Sequence, residues 1–143
     1  LPPPALGRLA ARHGDPGPDG PRRGVALETA PYALVRAPAL ATLRHVGPLP
    51  GRGLAAALEP ADGLLIVLSG LDRVDRAPGE ILRAGEPLGA MGGPPPSAEE
   101  FLIDASRAEA SIPTETIYIE TWRDGAPADP ETWFAFDSEG TSG

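Results

Sequence analysis

Apolar residues along this chain fall in short runs broken by glycine and proline. The runs are Val25–Glu28, Ala33–Arg36, Ala41–Val46, Leu54–Leu58 and Leu64–Leu68, and between them stand Ala30-Pro31, Gly47-Pro48, Pro50-Gly51 and Asp62-Gly63. Runs of about five residues with such breaks predict the strands of an all-β sandwich or barrel. Asp62-Gly63 between two apolar runs predicts a hairpin. Leu64-Leu65-Ile66-Val67-Leu68 is continuous rather than alternating, which predicts a strand covered on both faces. A last strand is expected over Glu115–Trp122. Alternation there puts Thr116, Tyr118 and Glu120 on one face and turns Ile117 and Ile119 toward the core. Asp124-Gly125 then makes a turn, and Pro127–Trp133 closes the domain.

Three stretches depart from this rhythm. Residues 1–21 carry Pro2-Pro3-Pro4 and a second cluster from Gly14 to Pro21. Proline lacks an amide donor, so this lead segment is excluded from a central strand, with Leu6 and Leu9 expected to pin it to the body. Over 97–110, Ser97 and Glu100 fit a capping box, and Phe101, Leu102 and Ala105 follow near helical spacing. One short inserted helix is expected there. It either borders the mouth of the site discussed below, as a partner contact or lid, or packs on the side of the barrel. Residues 138–143 read as a frayed tail.

Composition narrows the function. The 143 residues carry a formal charge of −8, and all twelve basic residues are arginine. An acidic chain lacks the cationic face that nucleic acid needs. Without lysine there is no Schiff base and no biotin or lipoyl attachment. Without cysteine there is no disulfide, thiolate nucleophile or iron–sulfur site. No apolar run reaches the ~18 residues of a membrane span. The chain starts at Leu1 with no methionine or signal-type segment, and it reads as a piece of a longer protein. The two histidines are His13 and His45, and His45 reads as an ordinary strand histidine. Ser69 and Ser111 have no base in a motif beside them, and the acidic pairs Glu99/Glu100 and Asp72/Asp75 read as solvated faces.

Gly79-Glu80-Ile81-Leu82-Arg83-Ala84-Gly85-Glu86-Pro87-Leu88-Gly89 puts glycines at tight β corners with Leu82 and Leu88 turned inward. Its neighbours, taken in order, resemble a LytM domain, the fold of lysostaphin-type zinc endopeptidases. Val35-Arg36-Ala37-Pro38-Ala39-Leu40-Ala41-Thr42-Leu43 is similar to V-x-A-P-x-x-G-x-V, with Ala41 where glycine is usual. Gly51-Arg52-Gly53 and Leu58-Glu59 are similar to G-x-G…(I/L)-E. Ile117-Tyr118-Ile119-Glu120, then Gly125-Ala126-Pro127-Ala128-Asp129-Pro130-Glu131-Thr132-Trp133, are similar to L-Y-F-E…G-x-P-V-D-P-x-x-W. The resemblance covers about residues 22–134. It implies a mainly β fold, LytM-type or hybrid-barrel-like antiparallel sheets with one short inserted helix, over residues 22–137.

The same resemblance locates a zinc site, and the chain departs from it at every ligand. Active members hold zinc with H-x-G-x-D and the second histidine of a late H-x-H, while the first histidine of that pair and the one in Y-x-H-L assist the chemistry. Here Arg22 and Ala26 replace the first histidine and the aspartate, Gly70 replaces the histidine of Y-x-H-L, and Thr116 and Tyr118 replace both late histidines. Zinc requires nitrogen, sulfur or carboxylate ligands, and a guanidinium at the site repels the ion. The expectation is therefore no catalytic residue, no metal and no cofactor. A LytM domain without ligands resembles the EnvC-type murein hydrolase activators. In that family the domain binds a zinc-dependent N-acetylmuramoyl-L-alanine amidase and relieves its autoinhibition. The resemblance implies a cleft receiving the amidase's autoinhibitory helix, here lined by Arg22, Ala26, Gly70, Thr116, Tyr118, Glu120 and Trp122. It also implies a periplasmic location, a role in cell-wall splitting at division, and a division-site ABC-transporter-like complex reached through a coiled coil that this chain lacks. A peptidoglycan-binding targeting module is the alternative.

Overall fold

The computed structural model describes residues 3–12, 14–17, 20–21, 23–93 and 114–134. Arg22, His13, the helix expected over 97–110 and the tail 138–143 lie outside these residues.

Antiparallel strands make up the described fold. In chain order they are β1 (Arg8–Ala11), β2 (Pro16–Gly17), β3 (Gly20–Pro21), β4 (Val25–Thr29), β5 (Leu34–Arg36), β6 (Ala41–Pro48) and β7 (Leu54–Ala61), followed by β8 (Leu64–Leu71), β9 (Arg73–Val74), β10 (Ile81–Leu82), β11 (Pro87–Ala90), β12 (Glu115–Arg123) and β13 (Ala126–Ala128). The main sheet runs β1-β4-β12-β8-β7-β6-β10, with β13 paired to β12. A smaller sheet runs β5-β11-β9, and β2 pairs with β3. The expectation of mainly β, antiparallel sheets holds.

Period-two alternation decides which face of the main sheet is inside. Val25 and Leu27 on β4, Ile117 and Ile119 on β12, Ile66 and Leu68 on β8, and Ala56 and Leu58 on β7 all point into one core. The smaller sheet and the Gly79–Gly89 turns cover that core with Val35, Leu82, Leu88 and Met91. Each fully buried leucine or isoleucine contributes roughly 1.5–3 kcal/mol relative to exposure. Thr121 is also fully buried, and its hydroxyl is satisfied by donating to the Ala128 carbonyl at 3.0 Å.

The glycine corners hold as expected. Gly79 and Gly85 have φ of 98° and 87°, and their amides donate to the Leu43 and Ala37 carbonyls at 2.7 and 2.8 Å. Two aspartate–glycine pairs turn hairpins in different ways. Asp124-Gly125 takes positive φ at both positions (50° and 81°), as a type I′ turn requires. At Asp62-Gly63 only the glycine does, and the β7–β8 register is irregular just before it. The Asp124 amide donates to the Gly63 carbonyl at 2.7 Å and ties the two turns together.

Two expectations are corrected. Leu6 is 89% exposed and pins nothing; Ala5 is buried instead, and Leu9 packs against the core from β1 at the edge of the main sheet. On β8 the apolar run is not covered on both faces. Ile66, Leu68 and Leu71 are buried, whereas Leu65 and Val67 are half-buried. Leu65 and Val67 lie on the outer face, where they neighbour Trp122 and Glu120.

Candidate partner-binding cleft

The outer faces of β4, β12, β8 and β7 form the candidate site. Strand register lines its residues up in rows. Tyr118 stands opposite Ala26 on one side and Ser69 on the other, and Ser69 stands opposite Ala55. The tyrosine ring therefore rises from a row of small residues. One row along, Glu120 faces Val67 and Val67 faces Ala57; beyond it Trp122 faces Leu65. In the other direction Thr116 stands opposite Glu28. Ala26, Thr116, Tyr118, Glu120 and Trp122 thus share one surface, as alternation requires.

Gly70 sits differently. It interrupts the β7–β8 register, since Leu71 pairs with Leu54 but Ser69 pairs with Ala55. Its φ is 96°, and a Cβ there would collide with the Thr116 carbonyl oxygen. Gly70 is a bulge residue that lets β8 lie close against β12. Gly24 plays a similar part ahead of β4, where an added Cβ would strike the Ile119 carbonyl oxygen.

The side chain that dominates the cleft comes from the β6–β7 loop. Gly51 and Gly53 have φ of 77° and 68°, and the Leu49 amide donates to the Gly53 carbonyl at 2.8 Å. The Arg52 amide donates to the Leu49 carbonyl at 2.9 Å. This tight loop lays the Arg52 guanidinium over the Tyr118 ring, 4.1 Å from its centroid. Arg52 Nη1 also lies 3.8 Å from Glu120 Oε2, and the Trp122 indole Nε1 donates to Glu120 Oε1 at 3.1 Å. Stacking of a cation on a tyrosine contributes about 0.5–1 kcal/mol at an exposed site and more as water leaves. On the other flank of the loop, Pro48, Leu49, Pro50, Leu54, Leu71 and Asp72 line an open, mostly apolar depression of about 460 Å³.

Nearby carboxylates are balanced. Glu28 pairs with Arg8 at 3.1 Å and Glu59 with Arg44 at 2.6 Å.

Zinc does not fit the residues present. The described positions that correspond to ligands offer a methyl and a phenol, at Ala26 and Tyr118, and those that correspond to the assisting histidines offer a hydrogen and a hydroxyl, at Gly70 and Thr116. Gly70 cannot carry a histidine without backbone strain and a collision with β12. Among the described residues no group of three or more His, Cys, Asp or Glu is placed to hold a metal ion.

Sequence reasoning brought Tyr118, Glu120 and Trp122 together and missed Arg52. Its signal was an arginine bracketed by two glycines between strands. Nothing local announces that such a loop folds onto a tyrosine from a distant strand.

No family model and no curated protein matches the chain. Solved structures do. Csd3 from Helicobacter pylori is similar at a TM-score of 0.71 with 14% identity over 96% of this chain and 33% of its own. A variant of the catalytic domain of the prophage-encoded M23 protein EnpA from Enterococcus faecalis has a TM-score of 0.66, at 17% identity over 92% and 96% of the two chains. A chain of the SpoIIQ–SpoIIIAH pore-forming complex has a TM-score of 0.59, at 21% identity over 80% and 66%. The chain spans about a third of the length of Csd3. Sheet order, core and these likenesses agree on one statement: the protein has the fold of LytM-type peptidases, with an arginine–tyrosine cluster in its cleft.

Proposed function

We propose that this is a non-catalytic LytM-type domain that binds and activates a peptidoglycan amidase, an N-acetylmuramoyl-L-alanine amidase, by receiving an amphipathic helix of that enzyme. One observation carries the reading: the cleft holds Arg52 stacked on Tyr118, beside Glu120 and Trp122, where a peptidase needs metal ligands. Tyrosine, tryptophan and arginine are the side chains most enriched at binding hot spots, and an apolar-flanked groove suits a helix. The SpoIIQ chain, similar in fold, is described in a complex with another protein, which supports a binding role for this architecture. Cell-wall splitting at division, a periplasmic location and a link to an ABC-transporter-like complex belong to the same proposal.

The test is a pair of titrations of the fluorescently labelled domain, one with purified amidase and one with isolated sacculi. Saturable binding is expected with the amidase and not with sacculi. Tyr118→Ala should weaken amidase binding roughly 30-fold, the scale of a hot-spot truncation, while the melting temperature stays within a few degrees. Binding to sacculi alone would refute the proposal in favour of a wall-targeting module.

A further inference from the structure

Other arginines of the domain have hydrogen-bonded partners, those of Arg8 and Arg44 on the face of the main sheet that bears the cleft and those of Arg36 and Arg76 beside the smaller sheet. Arg44 and Arg8 hold carboxylates, and Arg36 and Arg76 donate to the Gly85 and Pro87 carbonyls at 3.0 Å. Arg52 differs. Its guanidinium makes no hydrogen bond to any described residue, because the nearest carboxylate oxygen, on Glu120, is 3.8 Å away. Yet its position is fixed, by the ring beneath it and by a loop whose Gly53 already sits against the Leu71 carbonyl, 2.9 Å from where a Cβ would be. Stacking uses the flat face of a guanidinium and leaves the N–H groups around its edge pointing outward. Such an edge matches the two oxygens of a carboxylate. The side chain is 38% exposed, so the edge is reachable.

We propose that Arg52 is the carboxylate receptor of the cleft and takes an aspartate or glutamate side chain carried on the partner's helix. This rests on the amidase-binding reading above. Glu120 balances the Arg52 charge while the cleft is free. When the partner's carboxylate arrives, it takes the guanidinium edge, and Glu120 keeps its bond from the Trp122 indole. Little ordering remains to be done on binding, since the receptor is already in place.

The test uses the ¹⁵N-labelled domain with sodium glutarate as probe, against glutaramide and sodium chloride at matched ionic strength. Glutarate should shift the Arg52 Nε–H and Trp122 Nε1–H signals saturably. Glutaramide and chloride should shift them less than a tenth as far, and the committed Arg44 and Arg36 should respond several-fold less. In parallel, Arg52→Gln and Arg52→Lys should each weaken amidase binding about tenfold or more, with Ile117 and Ile119 amide signals unmoved to show an intact core. Equal responses from all arginines, or full amidase affinity in Arg52→Gln, overturns the inference while the amidase reading stands. Arg52→Gln losing affinity for sacculi and not for amidase also overturns it, because the carboxylate then belongs to the wall peptide. Saturable glutarate binding at Arg52 with no amidase binding by the unaltered domain supports the receptor and refutes the proposed function.

Discussion

Gly70 gives a direct test of why the position of the assisting histidine cannot simply be refilled. Two costs meet there. A φ of 96° lies in the region that L side chains rarely adopt, and an added Cβ collides with the Thr116 carbonyl oxygen across the β8–β12 boundary. Gly51 provides the control, because it has a similar φ of 77° and nothing within 4 Å of its would-be Cβ. Gly51→Ala should therefore report conformational strain alone, about 1–2 kcal/mol. Gly70→Ala adds the displacement of β12 backbone and should cost about 3–5 kcal/mol, at the upper end of single-substitution effects. Gly70→His should cost at least as much. Denaturant unfolding followed by far-UV circular dichroism measures all three, and at roughly 4 °C per kcal/mol the melting temperatures should separate clearly. Equal losses for Gly70→Ala and Gly51→Ala would refute the collision argument. A stable Gly70→His domain would refute the claim that this backbone excludes the assisting histidine.

Two further outcomes follow from the core and the donor set. Leu68→Ala removes a fully buried side chain on the β8 core face and should destabilise by about 2–5 kcal/mol, whereas Leu65→Ala, half-buried on the same strand, should cost clearly less; chemical denaturation compares them. After zinc loading and exhaustive dialysis, elemental analysis should find well under one zinc per chain, since the described ligand positions hold no nitrogen, thiolate or carboxylate donor; stoichiometric retained zinc would contradict the non-catalytic reading.

Much of the fold was legible because the local rules agreed with one another. Alternation over Glu115–Trp122 sorted Ile117 and Ile119 from Tyr118 and Glu120, and register across four strands left no other choice once the core was chosen. Glycine spacing over Gly79–Gly89 announced corners that only positive φ permits. What stayed hidden was non-local or two-sided. The run Leu64–Leu68 reads as doubly covered, yet Leu65 and Val67 form part of the cleft surface. Leu6 and Leu9 look alike in a proline-rich lead, and only Leu9 falls on a paired strand. Gly70 reads as an emptied assisting-histidine position, and its bulge geometry emerges only when β8 meets β12. Arg52 reaches Tyr118 through a loop whose direction depends on the strands it joins.

The most direct test of the central claim is dye release from labelled sacculi by a purified, autoinhibited amidase, with and without this domain. The amidase alone should release little, the domain alone with added Zn²⁺ should release nothing, and the two together should release many times more than either. Release by the domain alone, or no stimulation of the amidase at saturating domain, would contradict the account.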